Sequence, residues 1–203
     1  IRTDLQFGKL KLSTIIAQKK SATSSVQTKG GVQLSTFEFS ADDYDENRPF
    51  FLAQYFLEHY DENMAQLPNI LSGITINRVE VWVTNKTGQT TNTRNVIALT
   101  DLGEASKIHN PLWTPGSTTV PANAANTLYN IVSGINGVRN ISTATSALDG
   151  FGLTGGVDYE KLESARLLSP SEYKVNAALG YISLRSALQP DQVLAVAFEY
   201  TYR

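Results

Sequence analysis

Ile74-Thr75-Ile76-Asn77-Arg78-Val79-Glu80-Val81-Trp82-Val83-Thr84 is the stretch on which the fold turns. β-Branched and aromatic side chains dominate it, and these suit a pleated, half-buried surface. Ile74 and Ile76 share one face of an extended chain, whereas Val79, Val81 and Val83 have the opposite parity. The pattern predicts one long strand with an irregularity at Asn77 and Arg78. Asn85, Lys86, Thr87 and Gly88 form the turn after it, and Arg94 to Thr100 reads as its continuation or its partner. Val193 to Tyr202 is a second strong strand, apolar on both faces, which places it in the middle of the fold.

Other strands follow from alternation. From Lys9 to Ile16, Leu10, Leu12 and Ile16 fall on one side and Lys9, Lys11 and Ser13 on the other, the period of a half-buried strand. Lys19 to Gly31 has the Ser/Thr/Gly/Lys composition of a surface loop or hairpin tip, and Val32 to Phe39 resumes strand character with a parity shift between Leu34 and Phe37. Gly180 to Leu184 reads as a short strand, with an abrupt turn at Pro190. The clearest helix runs from Pro49 to about Asp61, with Leu52, Tyr55, Phe56, His59 and Tyr60 on one face, Asp45 and Asn47 where an N-cap belongs, and Pro68 beyond its end. Ala122 to Val132 and Thr143 to Leu148 carry shorter helical patterns inside a segment, Glu104 to Gly156, rich in Pro, Gly, Ser, Thr, Asn and Ala. Tyr159 to Leu168 reads as a short helix or an irregular segment. Strands outnumber helices, without internal repeat or linker. The expected fold is mainly β with a minor α+β character: an antiparallel β-sandwich or jelly-roll-like domain with two to four short helices, in a single unit over residues 1–203.

Composition narrows the function. A chain of 203 residues can bury roughly 70% of its unfolded surface. With 17 basic and 19 acidic residues the net charge is −2, which supplies no field for phosphates and argues against nucleic-acid binding. The absence of cysteine excludes disulfides and thiolate metal sites. No run of about 18 apolar residues could span a bilayer as a helix, and no signal segment is visible. Beginning at Ile1 and ending in a strand-like pattern, the chain is expected to be a piece of a longer protein.

Candidate chemistry is sparse. Asp42, Asp43, Asp45 and Glu46 could offer oxygens to Ca²⁺, with Asp43 and Asp45 the candidate ligands, but the run lacks the glycine and distant glutamate of an EF-hand loop. The favoured reading is that these acids cap the helix beginning at Pro49. His59 is expected to pack on the apolar side of that helix and His109 to sit in solvent ahead of Pro111; no H-E-x-x-H spacing joins them. No G-x-S-x-G is present, and the glycines at 150, 152, 155 and 156 lack the trailing Lys-Ser/Thr of a phosphate loop. No cofactor and no catalysis are expected. Aromatic rings offer more, since they serve as platforms for sugars and as anchors of protein interfaces. Trp82, flanked by Val81 and Val83, is expected in the core; Trp113, in a Pro-rich loop, is the freer interaction candidate.

Four stretches carry a resemblance: Asp42 to Phe56 (DDYDENRPFFLAQYF), Gly73 to Asn85 (GITINRVEVWVTN), Thr93 to Glu104 (TRNVIALTDLGE) and Tyr159 to Tyr202, which includes YEKLESARLLSPSEYKVNAALGYISL and PDQVLAVAFEYTY. In these the chain resembles the SprA/Sov family of giant outer-membrane proteins of gliding motility and type IX secretion in Bacteroidetes. The similarity is spread over nearly the whole chain and weakest between Gly116 and Gly156. What it implies is a very large β-barrel exporting folded cargo, of which this chain would be one insertion between strands, lacking nearly all of the barrel. It further implies a place in the cell envelope, at the outer membrane, and as partners other segments of the parent barrel, translocon subunits and secreted cargo. The expected role is therefore a non-catalytic structural and interaction domain. The alternative is a carbohydrate-binding β-sandwich module at the cell surface.

Overall fold

A computed structural model describes residues 2–7, 10–15 and 45–202. The chain divides into two compact units, Ile1–Asp43 and Tyr44–Arg203. In the first unit, β1 (Arg2–Phe7) and β2 (Leu10–Ile15) form an antiparallel hairpin in which Arg2 faces Ile15 and Phe7 faces Leu10. The strand expected over Lys9–Ile16 is thus present, and its partner precedes it. The loop expected over Lys19–Gly31, the strand over Val32–Phe39 and the acids Asp42 and Asp43 lie outside the described residues.

The second unit is mainly antiparallel β with four short helices, as the pattern predicts. Its elements are β3 (Pro49–Phe51), α1 (Gln54–Glu58), α2 (Tyr60–Met64), β4 (Ile74–Val83), β5 (Thr93–Leu99), α3 (Leu128–Gly134), α4 (Ile141–Gly150), β6 (Tyr159–Leu167), β7 (Tyr173–Asn176), β8 (Tyr181–Leu184) and β9 (Leu194–Tyr202). They build a three-stranded sheet in the order β3-β8-β7 and a four-stranded sheet in the order β5-β6-β4-β9.

β4 organises the core. Ile76 faces Tyr200 and Arg78 faces the adjacent Glu199, so Asn77 is an extra residue on β4, at the irregularity its parity predicts. The bulge turns both sets of apolar side chains to one face: Ile74, Ile76, Val81 and Val83 enter a single cluster with Leu52, Phe56, Ile182 and Leu184 from the elements packed against them. Two sheets facing across such a layer make a sandwich. The same face continues over β5 and β6, where Ile97, Leu99 and Tyr159 meet Leu128 of α3, Leu148 of α4 and the Trp113 ring. In β6, Ser164 takes φ 50° where the ladder to β5 shifts, and its N–H donates to Asn95 Oδ1 at 2.8 Å.

Several boundaries differ from the pattern. Pro49–Phe51 is a strand on β8, not a first helical turn, and α1 begins behind Ala53 with no side-chain cap; Asp45 and Asn47 do not cap it. The reason is that Phe50 and Phe51 join the layer around Phe56, and strand pairing with Ile182 and Tyr181 places them there. Tyr159–Leu167 is a strand, not a helix, because it supplies the ladder partner of β5. β5 accordingly pairs with β6 and not with β4. β9 is an edge strand, not a central one: its apolar residues divide between the sandwich core and the opposite face of the sheet, which also holds Trp82 and Ala195. No described helix is long and apolar enough to cross a membrane.

Candidate functional site

β4 and β6 pair only at Trp82 with Leu167 and Val83 with Arg166. Beyond that point the β4–β9 and β5–β6 hairpins diverge, and the sheet curls so that its two edges line one cleft. The cleft, about 570 Å³, is bordered by Arg94 to Thr100 on one side and Val193 to Phe198 on the other. A sheet face offers every second residue to a cavity, whereas an edge offers consecutive ones. Both lips are therefore edges.

Backbone polarity along these lips follows from the ladders. Thr84 N–H donates to Val193 O at 3.1 Å, and Val193 N–H donates to Thr84 Oγ1 at 2.9 Å. Alternation in an antiparallel ladder then directs Ala195 and Ala197 toward β4 and Leu194, Val196 and Phe198 outward. Thr100 N–H donates to Asp158 O at 2.9 Å, so Val96 and Ala98 bond toward β6 while Ile97 and Leu99 face the cleft. Among the described residues none of these outward groups has a backbone partner.

The floor is apolar and small. Trp82 is 7% exposed and packs with Leu162, Ala165 and Ala195, while the Arg94 guanidinium lies over its ring, 5.5 Å from the centroid. Three carboxylates, Glu80, Glu104 and Glu160, line the cleft against the single guanidinium of Arg94. Glu80 pairs with Arg78. Glu104 is 8% exposed and accepts from Gln54 N–H at 3.1 Å. Burial raises its pKa above the ordinary carboxyl value against that hydrogen bond, with Asp101 and Glu58 adding repulsion. No residue lining the cleft is a His, Ser or Cys.

A buried polar cluster holds the long loop after β5 in place. Asp101 accepts the N–H groups of His109 and Asn110 at 2.8 and 2.9 Å. Asn126 Nδ2 donates to the carbonyls of Asp101 and Glu104 at 2.7 and 2.8 Å, and its Oδ1 accepts from Leu128 N–H. Asp158 accepts from Asn110 Nδ2 and Thr154 N–H at 2.8 and 2.7 Å. Carboxylates engaged by backbone donors in this way hold a loop. Pro121 O accepts from Tyr200 Oη, so the loop closes over the far end of β9.

The residues singled out by the sequence are scattered. Trp113, the freer interaction candidate of the sequence, is 4% exposed and packs in the core among Leu128, Val132 and Leu148, covered by the helices of the 116–156 segment. Trp82 is in the core as expected, and it also floors the cleft. Asp45 is exposed, with Oδ1 3.7 Å from Arg48 Nε. His59 stacks on Tyr55 with centroids 4.1 Å apart, and its Nδ1 bonds Tyr55 O at 2.8 Å. His109 is exposed and engages Asp101 through its backbone. No group of metal-ligating side chains forms among the described residues. The cleft itself escaped the sequence reading; the one signal was Arg94 at the start of a strand whose partner could not be assigned.

Residues 2–185 match the family model SprA_N, described as motility related/secretion protein. No curated protein matches the chain.

Proposed function

Since the chain belongs to the SprA_N family of motility related/secretion proteins, we propose that it is a non-catalytic structural and docking domain of an outer-membrane machine for protein export and gliding. In this reading it frames the export path and engages translocon subunits or cargo, and the cleft between β5 and β9 is where the engagement occurs. The observation that carries the reading is the family match over residues 2–185. A cleft walled by strand edges, with a small apolar floor and no nucleophile beside a base, supports docking over catalysis. Sugar recognition has less support: Trp82 and Trp113, the indoles that would serve as platforms, are 7% and 4% exposed.

The test is an in-frame removal of residues 45–202 from the parent gene in its own bacterium. Immunoblots of the outer membrane, protein released into the medium and spreading on agar are compared with wild type. The reading expects the parent to remain in the outer membrane while export and gliding fail. Normal export and gliding would overturn it.

A further inference from the structure

The cleft has the form of a sheet lacking one strand. Its lips are the two edges of one four-stranded sheet. The groups facing it from Ile97, Leu99, Leu194, Val196 and Phe198 are backbone donors and acceptors without a backbone partner among the described residues. Edges of this kind are templates for pairing, which proteins ordinarily cover or blunt. We propose that the cleft is an insertion slot, taking a short extended segment of another polypeptide as a fifth strand between β5 and β9.

Three features define the occupant. β5, β6, β4 and β9 are successively antiparallel, so β5 and β9 run in opposite directions. A segment between them lies antiparallel to one lip and parallel to the other, which fixes an asymmetric fit. The lip from Arg94 to Thr100 accepts about six extended residues at roughly 3.3 Å each. Side chains alternate along such a segment: those turned inward meet Trp82, Ala98, Ala195 and Ala197 and must be small and apolar, while those at the rim meet Glu80 and Glu160. Glu160 is exposed and forms no salt bridge among the described residues, whereas Glu80 is paired with Arg78 and Glu104 is buried, so the Glu160 carboxylate is what favours a lysine or arginine at the rim. The occupant is therefore an extended segment alternating small apolar and basic residues, held chiefly through its backbone.

This inference deepens the docking role just proposed and rests on it. Its experiment uses the purified chain, so failure here sinks strand insertion alone, whereas failure of the in-cell deletion sinks the docking role. The probe is a synthetic peptide of about eight residues alternating valine and lysine, with a second version N-methylated at alternate residues to remove its donors along one edge. Amide exchange by NMR is expected to slow at Ile97, Leu99, Leu194, Val196 and Phe198 when the unmodified peptide is added. The N-methylated peptide is expected to bind roughly tenfold more weakly or worse, the equivalent of one or two lost hydrogen bonds. Val196→Pro, which removes an outward N–H and leaves the ladder to β4 intact, is expected to weaken binding roughly fivefold. The peptide comparison keeps the test decisive if that variant folds poorly. Equal binding of both peptides would show recognition through side chains alone and overturn the proposal. So would absence of protection at every soluble peptide concentration. Protection rising with protein concentration without peptide would assign the slot to a second copy of the chain and equally defeat it.

Discussion

Single residues set the tolerances of this core. Gly180 has φ +64°, and a Cβ built on it would overlap the Phe56 ring, while its carbonyl accepts from Leu52 N–H at 2.9 Å. Only glycine meets both the left-handed backbone and the close ring. Gly180→Ala is expected to lower unfolding free energy by about 2–4 kcal/mol, read by urea denaturation, because strain and overpacking act together. Glu104 behaves in the opposite sense. Its folded-state pKa lies above the ordinary 4.5, first through burial, so between the two values the folded protein holds a proton that the unfolded chain releases. Stability contributed by that proton is present below pH 4.5 and is lost as pH rises through the folded value. Glu104→Gln is expected to stabilise the protein at neutral pH and to flatten that part of the stability-pH curve, measured by thermal melts across the window. An unchanged pH slope would show that another group carries it. At this scale the sequence was partly legible: the apolar spacing put His59 on a packed face, whereas no local signal distinguished Gly180 from any other turn glycine.

At the scale of the element, β4 and its bulge decide how the sheets meet. Asn77 is the inserted residue, and its Nδ2 donates to Thr201 Oγ1 at 2.8 Å. Deleting Asn77 shifts Ile74 and Ile76, 1% and 6% exposed, to the opposite face or forces β9 to slip. Losing two buried isoleucines is worth about 3–6 kcal/mol, so the deletion variant is expected to lose most of its cooperative unfolding transition by circular dichroism. A stable variant would mean that the parity change does not organise the core. The bulge was readable because parity is a local property of strand geometry. Tyr159–Leu167 was not: Tyr159, Leu162, Ala165 and Leu168 are buried, a three-residue spacing that imitates a helix. The left-handed Ser164 and the shifted ladder to β5 interrupt the two-residue period there.

For the second unit as a whole, the irregular segment after β5 matters more than its composition suggests. Asn126, 2% exposed, joins the carbonyls of Asp101 and Glu104 to the start of α3. Asn126→Ala would leave the buried Glu104 carbonyl and Leu128 N–H unpaired, while the Asp101 carbonyl keeps the Glu104 N–H, and is expected to cost about 2–4 kcal/mol, with the loss visible as rising exposure of Trp113 to a fluorescence quencher. Unchanged quenching would place the anchor elsewhere. The sequence by itself determined the mainly β class, the long strand with its fault at Asn77, the short helices and the family, because periodicity and extended similarity are properties of contiguous residues. Tertiary structure alone decided that β5 pairs with β6, that β9 is an edge, that Trp113 is buried, and that two edges face one cleft. Strand order, burial of a loop residue and the approach of Arg94 to Val193 depend on contacts between distant segments. Hydrophobic burial and backbone pairing select those contacts for the chain as a whole, and no local pattern records them.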